Sequence, residues 1–148
     1  MNSGKNILIV GIGNTIRGDD GIGAYIAAGI EQLHLEGVHT LVTQQLHTAL
    51  LDEFLPFDSI VLVDAAIAGE PVSFFRFNTT HSVPASSSHH VNASLLVALA
   101  QQLYQKELVI MICAVKATHF DMGESLSVGA KQYAELAIKT ICAWIQKA

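Results

Sequence analysis

Charge is scarce in this sequence, and positive charge scarcer still: 14% of its 148 residues are charged, eight basic against thirteen acidic, for a formal net charge of −5. With no basic block anywhere, an electrostatic grip on nucleic acid or on an anionic membrane surface is not expected. Cysteine is nearly absent. Cys113 and Cys142 fall in an apparent strand and an apparent helix, outside any CxxC pair, and are expected to be buried structural thiols rather than a disulfide or metal pair. Long apolar runs are missing as well. Mean hydropathy is +0.41, yet runs such as ILIVG and VIMICAV are far shorter than the roughly 20 residues of a membrane-crossing helix, so no membrane insertion is expected. Met1 to Lys5 lead into no charged region, apolar stretch and cleavage site, which makes the cytoplasm the expected location. No GxSxG elbow occurs and neither cysteine has an activating setting, so covalent acyl transfer is disfavoured.

What is present is apolar: 51% of residues are hydrophobic, ample for one domain spanning 1–148 with its own core. Asn6 to Val10 is continuously apolar and β-branched, as a strand covered on both faces should be. Ile22, Ile26, Ile30 and Leu33 recur at helical spacing, placing a first helix over about 20–35. Val38 to Thr43 reads as a second strand, Leu46 to Leu55 as a short helix and Ser59 to Asp64 as a third, buried strand. Val72 to Phe77 follows the Gly69-Glu70-Pro71 turn too soon for a helical crossover, so an antiparallel edge strand in a hairpin is expected. The polar stretch Asn78 to Asn92 reads as a surface loop, followed by a helix capped at Asn92 or Ser94 and running past Leu103. A strand over Leu108 to Val115, a loop over Thr118 to Ser127 and a last helix over Val128 to Gln146 complete the chain. Alternating strands and helices predict a three-layer α/β sandwich: a mostly parallel five-stranded sheet, one antiparallel edge strand and helices on both faces. In such sheets ligands bind beyond the C-terminal strand ends, where the segment Gly11 to Asp20, Asp64 and the loop after Val115 should gather.

Several residues there can carry chemistry. Gly11-Ile12-Gly13-Asn14 lacks the third glycine and the downstream acidic residue of a dinucleotide fingerprint, and no Lys-Ser or Lys-Thr pair of a phosphate loop follows it. Gly11 and Gly13 either permit a tight turn or let a ligand approach the backbone. Asp19 can cap the first helix, and the adjacent Asp20 is then free to bind something. Asp64 ends an otherwise apolar strand, where an unpaired carboxylate is costly, so it either caps the next loop or faces a partner or a cation. His34, His39 and His47 lie on ordinary elements and are set aside. His81, His89 and His90 stand in the polar loop, and two carboxylates with one imidazole could form an open metal site. His119 and Asp121 could border the same cleft.

Together, Gly11-Ile12-Gly13-Asn14 with Asp19-Asp20-Gly21-Ile22-Gly23, Val61-Leu62-Val63-Asp64-Ala65-Ala66, and Ser87-Ser88-His89-His90-Val91 before a Leu-Leu helix resemble the hydrogenase maturation proteases over nearly the whole chain. Gln45-Leu46 and Gly123 to Ser127 also look like family features. The resemblance implies an endopeptidase that removes the C-terminal extension of a nickel-iron hydrogenase large-subunit precursor after nickel insertion. It implies Asp20, Asp64 and His89 as metal-contacting residues, an ungapped match into the helix selecting His89 over His90, although some relatives carry Glu at the position of Asp20. Asp20 and Asp64 are then the expected catalytic carboxylates, with Gly11, Gly13, Asn14, Asp19 and His90 bordering the substrate. The nickel comes with the precursor, and no tightly held cofactor is expected. Two other readings stand beside it: a nickel-binding or precursor-binding chaperone that uses the same residues and does not cleave, and a nucleotide-binding domain using the glycine turn.

Overall fold

The computed structural model describes residues 5–78, 88–120, 122–123 and 125–147. His81, Asp121 and Glu124 therefore lie outside the described residues. Five strands form one sheet: β1 (Ile7–Ile12), β2 (Val38–Thr43), β3 (Ser59–Ala66), β4 (Val72–Arg76) and β5 (Val109–Lys116), in the order β2-β1-β3-β5-β4. All neighbouring pairs are parallel except β4 with β5. The expected edge strand is thus present, but not as a hairpin. The third strand and β4 are separated by β5, which inserts between them and pairs Val72 with Val115 through Arg76 with Met111.

Alternation along the strands sends their side chains into two cores. Ile7, Ile9, Val61, Val63 and Cys113 face α1 (Ile22–Glu31) and α4 (Val128–Lys147), meeting Ile26, Ile30, Ala134 and Ile141. On the other face, Leu8, Val10, Ile60, Leu62 and Ile110 meet Phe54 of α2 (Leu51–Phe54) and Ala93, Leu96 and Ala100 of α3 (Ser88–Tyr104). Each fully buried isoleucine or leucine contributes about 2 kcal/mol from apolar area removed from water. Among the described residues, no helix is long and apolar enough to cross a membrane.

Three helices differ from their expected extents; the short one expected over Leu46 to Leu55 is a 3₁₀ turn over Thr48–Leu50 leading into the four-residue α2. The first is only ten residues long and is preceded by a separate 3₁₀ turn over Gly18–Gly21, because residues 16–19 are held by a distant loop described below. The third begins at Ser88, so His89 and His90 lie on a helix rather than in a loop, and Asn92 is no cap. Its amide instead donates to the Leu46 carbonyl at 2.6 Å.

The topology creates the crevice. From β1 the chain steps one way to β2, then back over β1 to β3; right-handed crossovers therefore put α1 and α2 on opposite faces. The ends of β1 and β3 part between them, the usual place for a ligand in an open α/β sheet.

Candidate active site

Asp64 follows directly from this register. The last β1–β3 pair is Gly11 with Val63, so Asp64 is the first β3 residue past it. It shares its face with Ile60 and Leu62, the face that α3 covers. On α3 the inward positions Ala93, Leu96 and Ala100 extrapolate one turn back to His89. Accordingly His89 Nε2 lies 3.3 Å from Asp64 Oδ2, with 24% of the His89 side chain and 27% of the Asp64 side chain exposed. The Ala65 N–H donates to Asp64 Oδ1 at 2.8 Å. Burial pushes Asp64 up to about 6, with the nearby Asp20 charge adding to the rise and His89 and the Ala65 N–H opposing it. A carboxyl with that affinity can exchange a proton near neutral pH.

Asp20 reaches the same place from the 3₁₀ turn. Its Oδ2 accepts the Asn14 N–H at 2.7 Å, the kind of backbone donor that a nucleotide phosphate would need. With that donor taken by a carboxylate, the glycine turn is a poor phosphate cradle. Gly13 has φ +142°, which lets the chain turn sharply out of β1 beside Asp20.

Asp20, Asp64 and His89 line two adjoining cavities. One, of about 610 Å³, is mainly apolar, with Ile12, Leu62, Phe75, Phe77, Ile112 and Phe120 among its walls. The other, of about 280 Å³, is polar, bounded by Gly13, Asn14, Arg17, Gln44 and Gln45. The three residues stand where the cavities meet. Even so, among the described residues no three His, Cys, Asp or Glu side chains are gathered closely enough to hold a metal ion. Asp20 is turned to Asn14, and Asp64 to Ala65 and His89.

Other expected contacts differ. Asp19 is fully buried and neither caps a helix nor reaches a cavity. Its carboxylate accepts the N–H groups of Thr118 and His119, both at 3.1 Å, and the N–H and hydroxyl of Ser127 at 2.8 and 2.9 Å. Burial alone would raise its pKa, but these four donors hold it below the ordinary carboxylate value. Gly11 is packed rather than open to ligand: a Cβ there would strike the backbone of Gly23 in α1. His90 lines the apolar cavity, but its ring meets Phe77 edge-on with centroids 5.1 Å apart, so it is His89 that reaches Asp64. His119 lines neither cavity; its backbone is bound to Asp19. Both cysteines are free, and burial pushes the Cys113 thiol up to about 12, which removes the thiolate a nucleophile needs. Arg17, Gln44 and the phenylalanines of the groove were not singled out from sequence, because each becomes notable only once distant strands place it beside Asp64.

No protein-family model matches the chain, and no curated protein matches it in sequence. Solved structures do. Hydrogenase maturating endopeptidase HybD from E. coli matches at a TM-score of 0.77 and 18% identity, over 96% of this chain and 93% of that one. The NiFe hydrogenase maturation protease HybD from Thermococcus kodakarensis gives 0.73 and 21%, over 95% and 99%. The protease HycI from Thermococcus kodakarensis gives 0.71 and 22%, over 97% and 94%. The crevice bearing Asp20, Asp64 and His89 is thus built on the α/β fold of structures named as hydrogenase maturation endopeptidases.

Proposed function

We propose that the protein is an endopeptidase that removes the C-terminal extension from a nickel-iron hydrogenase large-subunit precursor once nickel is in place. The observation that carries this reading is the meeting of two carboxylates and an imidazole, from three separate elements, at the crevice of that fold. An oxygen and nitrogen donor set of this kind suits nickel, and the nickel arrives as part of the substrate. Its arrival draws Asp20, Asp64 and His89 onto one ion, so that only a loaded precursor completes the site and cleavage becomes a checkpoint on metal insertion.

Asp64 supports the hydrolytic step. Its carboxylate takes a proton from a water molecule as the water oxygen attacks the scissile carbonyl carbon, then returns that proton to the departing amide nitrogen as the C–N bond breaks. Asp20, anchored by the Asn14 N–H, shares the cavity and orients the tail. Asn14, Gly13 and His90 border the bound chain, whereas Asp19 and Gly11 act from behind it.

The test is intact-mass measurement of the precursor, nickel-loaded and nickel-free, after incubation with the protein. Loss of a C-terminal peptide from the loaded form alone is expected. A stable complex with no shortening in either form would instead identify a chaperone, and equal cleavage of both forms would remove the metal from recognition.

A further inference from the structure

The third strand outruns its neighbour on one side. Pairing with β1 stops at Gly11 and Val63, while pairing with β5 continues through Asp64 with Ala114, Ala65 with Val115 and Ala66 with Lys116. The Ala66 carbonyl accepts the Ala117 N–H at 2.8 Å, so main-chain groups of Ala66 face β5 and, by alternation, those of Ala65 face away from it. On that open side the Ala65 N–H is held by its neighbour Asp64. The β1 ladder ends before it, and among the described residues no turn or loop N–H bonds the Ala65 carbonyl. This is a short sheet edge lying inside the crevice, and it is continuous with the reacting groups. The apolar cavity, which Ala65 and Ala66 line, spreads from this edge across the face of β3, β5 and β4 to Phe75 and Phe77, and Ile67 on its wall is 79% exposed.

We propose that the substrate segment on one side of the scissile bond adds to this edge as an extended apolar strand, bonding the Ala65 carbonyl through a main-chain N–H. Its side chains enter the apolar groove. The proposal rests on the peptidase reading and specifies how the peptide is held. An exposed edge gives sequence-independent affinity through the main chain, and pockets at alternate side chains give selectivity. Asp20 and Asp64 at the mouth of the groove disfavour an acidic residue in that segment. The segment on the other side meets the polar cavity of Asn14, Arg17 and Gln45.

The probe is the nickel-loaded precursor, with residues two to five positions from the cleaved bond on either side changed singly to proline and to aspartate. On one side, proline at the residue whose N–H bonds the Ala65 carbonyl, and aspartate in the apolar groove, are each expected to slow cleavage by about tenfold or more, whereas on the other side, where Arg17 lines the cavity, both cost less. An Ile67→Lys variant of the protein should recover part of the aspartate loss and none of the proline loss. Tolerance of proline at every position overturns the strand addition. Equal losses on both sides, or no recovery with Ile67→Lys, overturn the one-sided apolar groove. Failure to cut the unaltered precursor overturns the peptidase reading itself.

Discussion

Two neighbouring carboxylates of one turn have opposite surroundings. Asp19 points into the protein, where four donors from the 118–119 and 127 segments satisfy it. The same turn is fastened by the Gly18 N–H on the Gly123 carbonyl at 2.9 Å and the Gly123 N–H on the Ile16 carbonyl at 2.8 Å. Asp20 points into the crevice beside Asp64, which is partly buried and, among the described residues, accepts one backbone N–H besides facing His89. A carboxylate with its donors complete stabilises the fold. One that is desolvated and short of donors is held there at a cost, and such strain marks a functional site.

The comparison is broken most forcefully at Asp19. Asp19→Ala leaves three N–H groups and a hydroxyl without their buried acceptor and should cost about 2–4 kcal/mol, read from urea unfolding. Because the Asp19 pKa is lowered in the fold, the stability it confers is present above the unfolded value of 3.8 and fades as pH falls through the folded one. An unchanged midpoint in Asp19→Ala would show that the node is decorative.

Gly23→Ala should weaken both regions at once. Its Cβ would meet the Val63 carbonyl oxygen at 2.6 Å and the Ile12 nitrogen at 2.7 Å, backbone atoms that cannot yield without moving β1 and β3. We expect a loss of about 2–3 kcal/mol together with reduced cleavage. Intact stability with normal cleavage would mean that α1 does not fix the crevice.

At Asp64 the two properties should separate. Its pKa is raised to about 6 from 3.8, so the folded state holds this proton more tightly and stability falls as pH rises from about 4 to about 6. Asp64→Asn should remove that slope and raise stability at pH 7 by up to about 3 kcal/mol, measured by urea titrations across this range. His89→Gln is read from the pH profile of whatever cleavage remains, where the expected shift is small. Removing the charge that opposes the rise at Asp64 should move the acidic limb of the cleavage profile to higher pH; a shift to lower pH would contradict the assigned pairing.

Much of this was legible beforehand, and unevenly so. The strands β1, β3 and β5 are nearly continuous apolar runs because both faces are covered, and that pattern is local. That β5 lies between β3 and β4 is a matter of long-range pairing, which the short 67–71 turn conceals. The early start of α3 was hidden by a Ser and His-rich stretch that reads as loop, although extending the Ala93, Leu96 and Ala100 stripe one turn back reaches His89. Asp19 and Asp20 are chemically identical neighbours in sequence. Their roles diverge only through Thr118, His119 and Ser127, about a hundred positions away.

The most direct measurement takes one variant through both halves of the comparison: Asp64→Asn, with its urea midpoint at pH 7 and its cleavage of the nickel-loaded precursor followed by intact mass. The account predicts a protein at least as stable as the parent that cuts about a hundredfold or more slowly. A variant that cleaves at the parental rate would contradict it, because the strained carboxyl would then have no part in the chemistry.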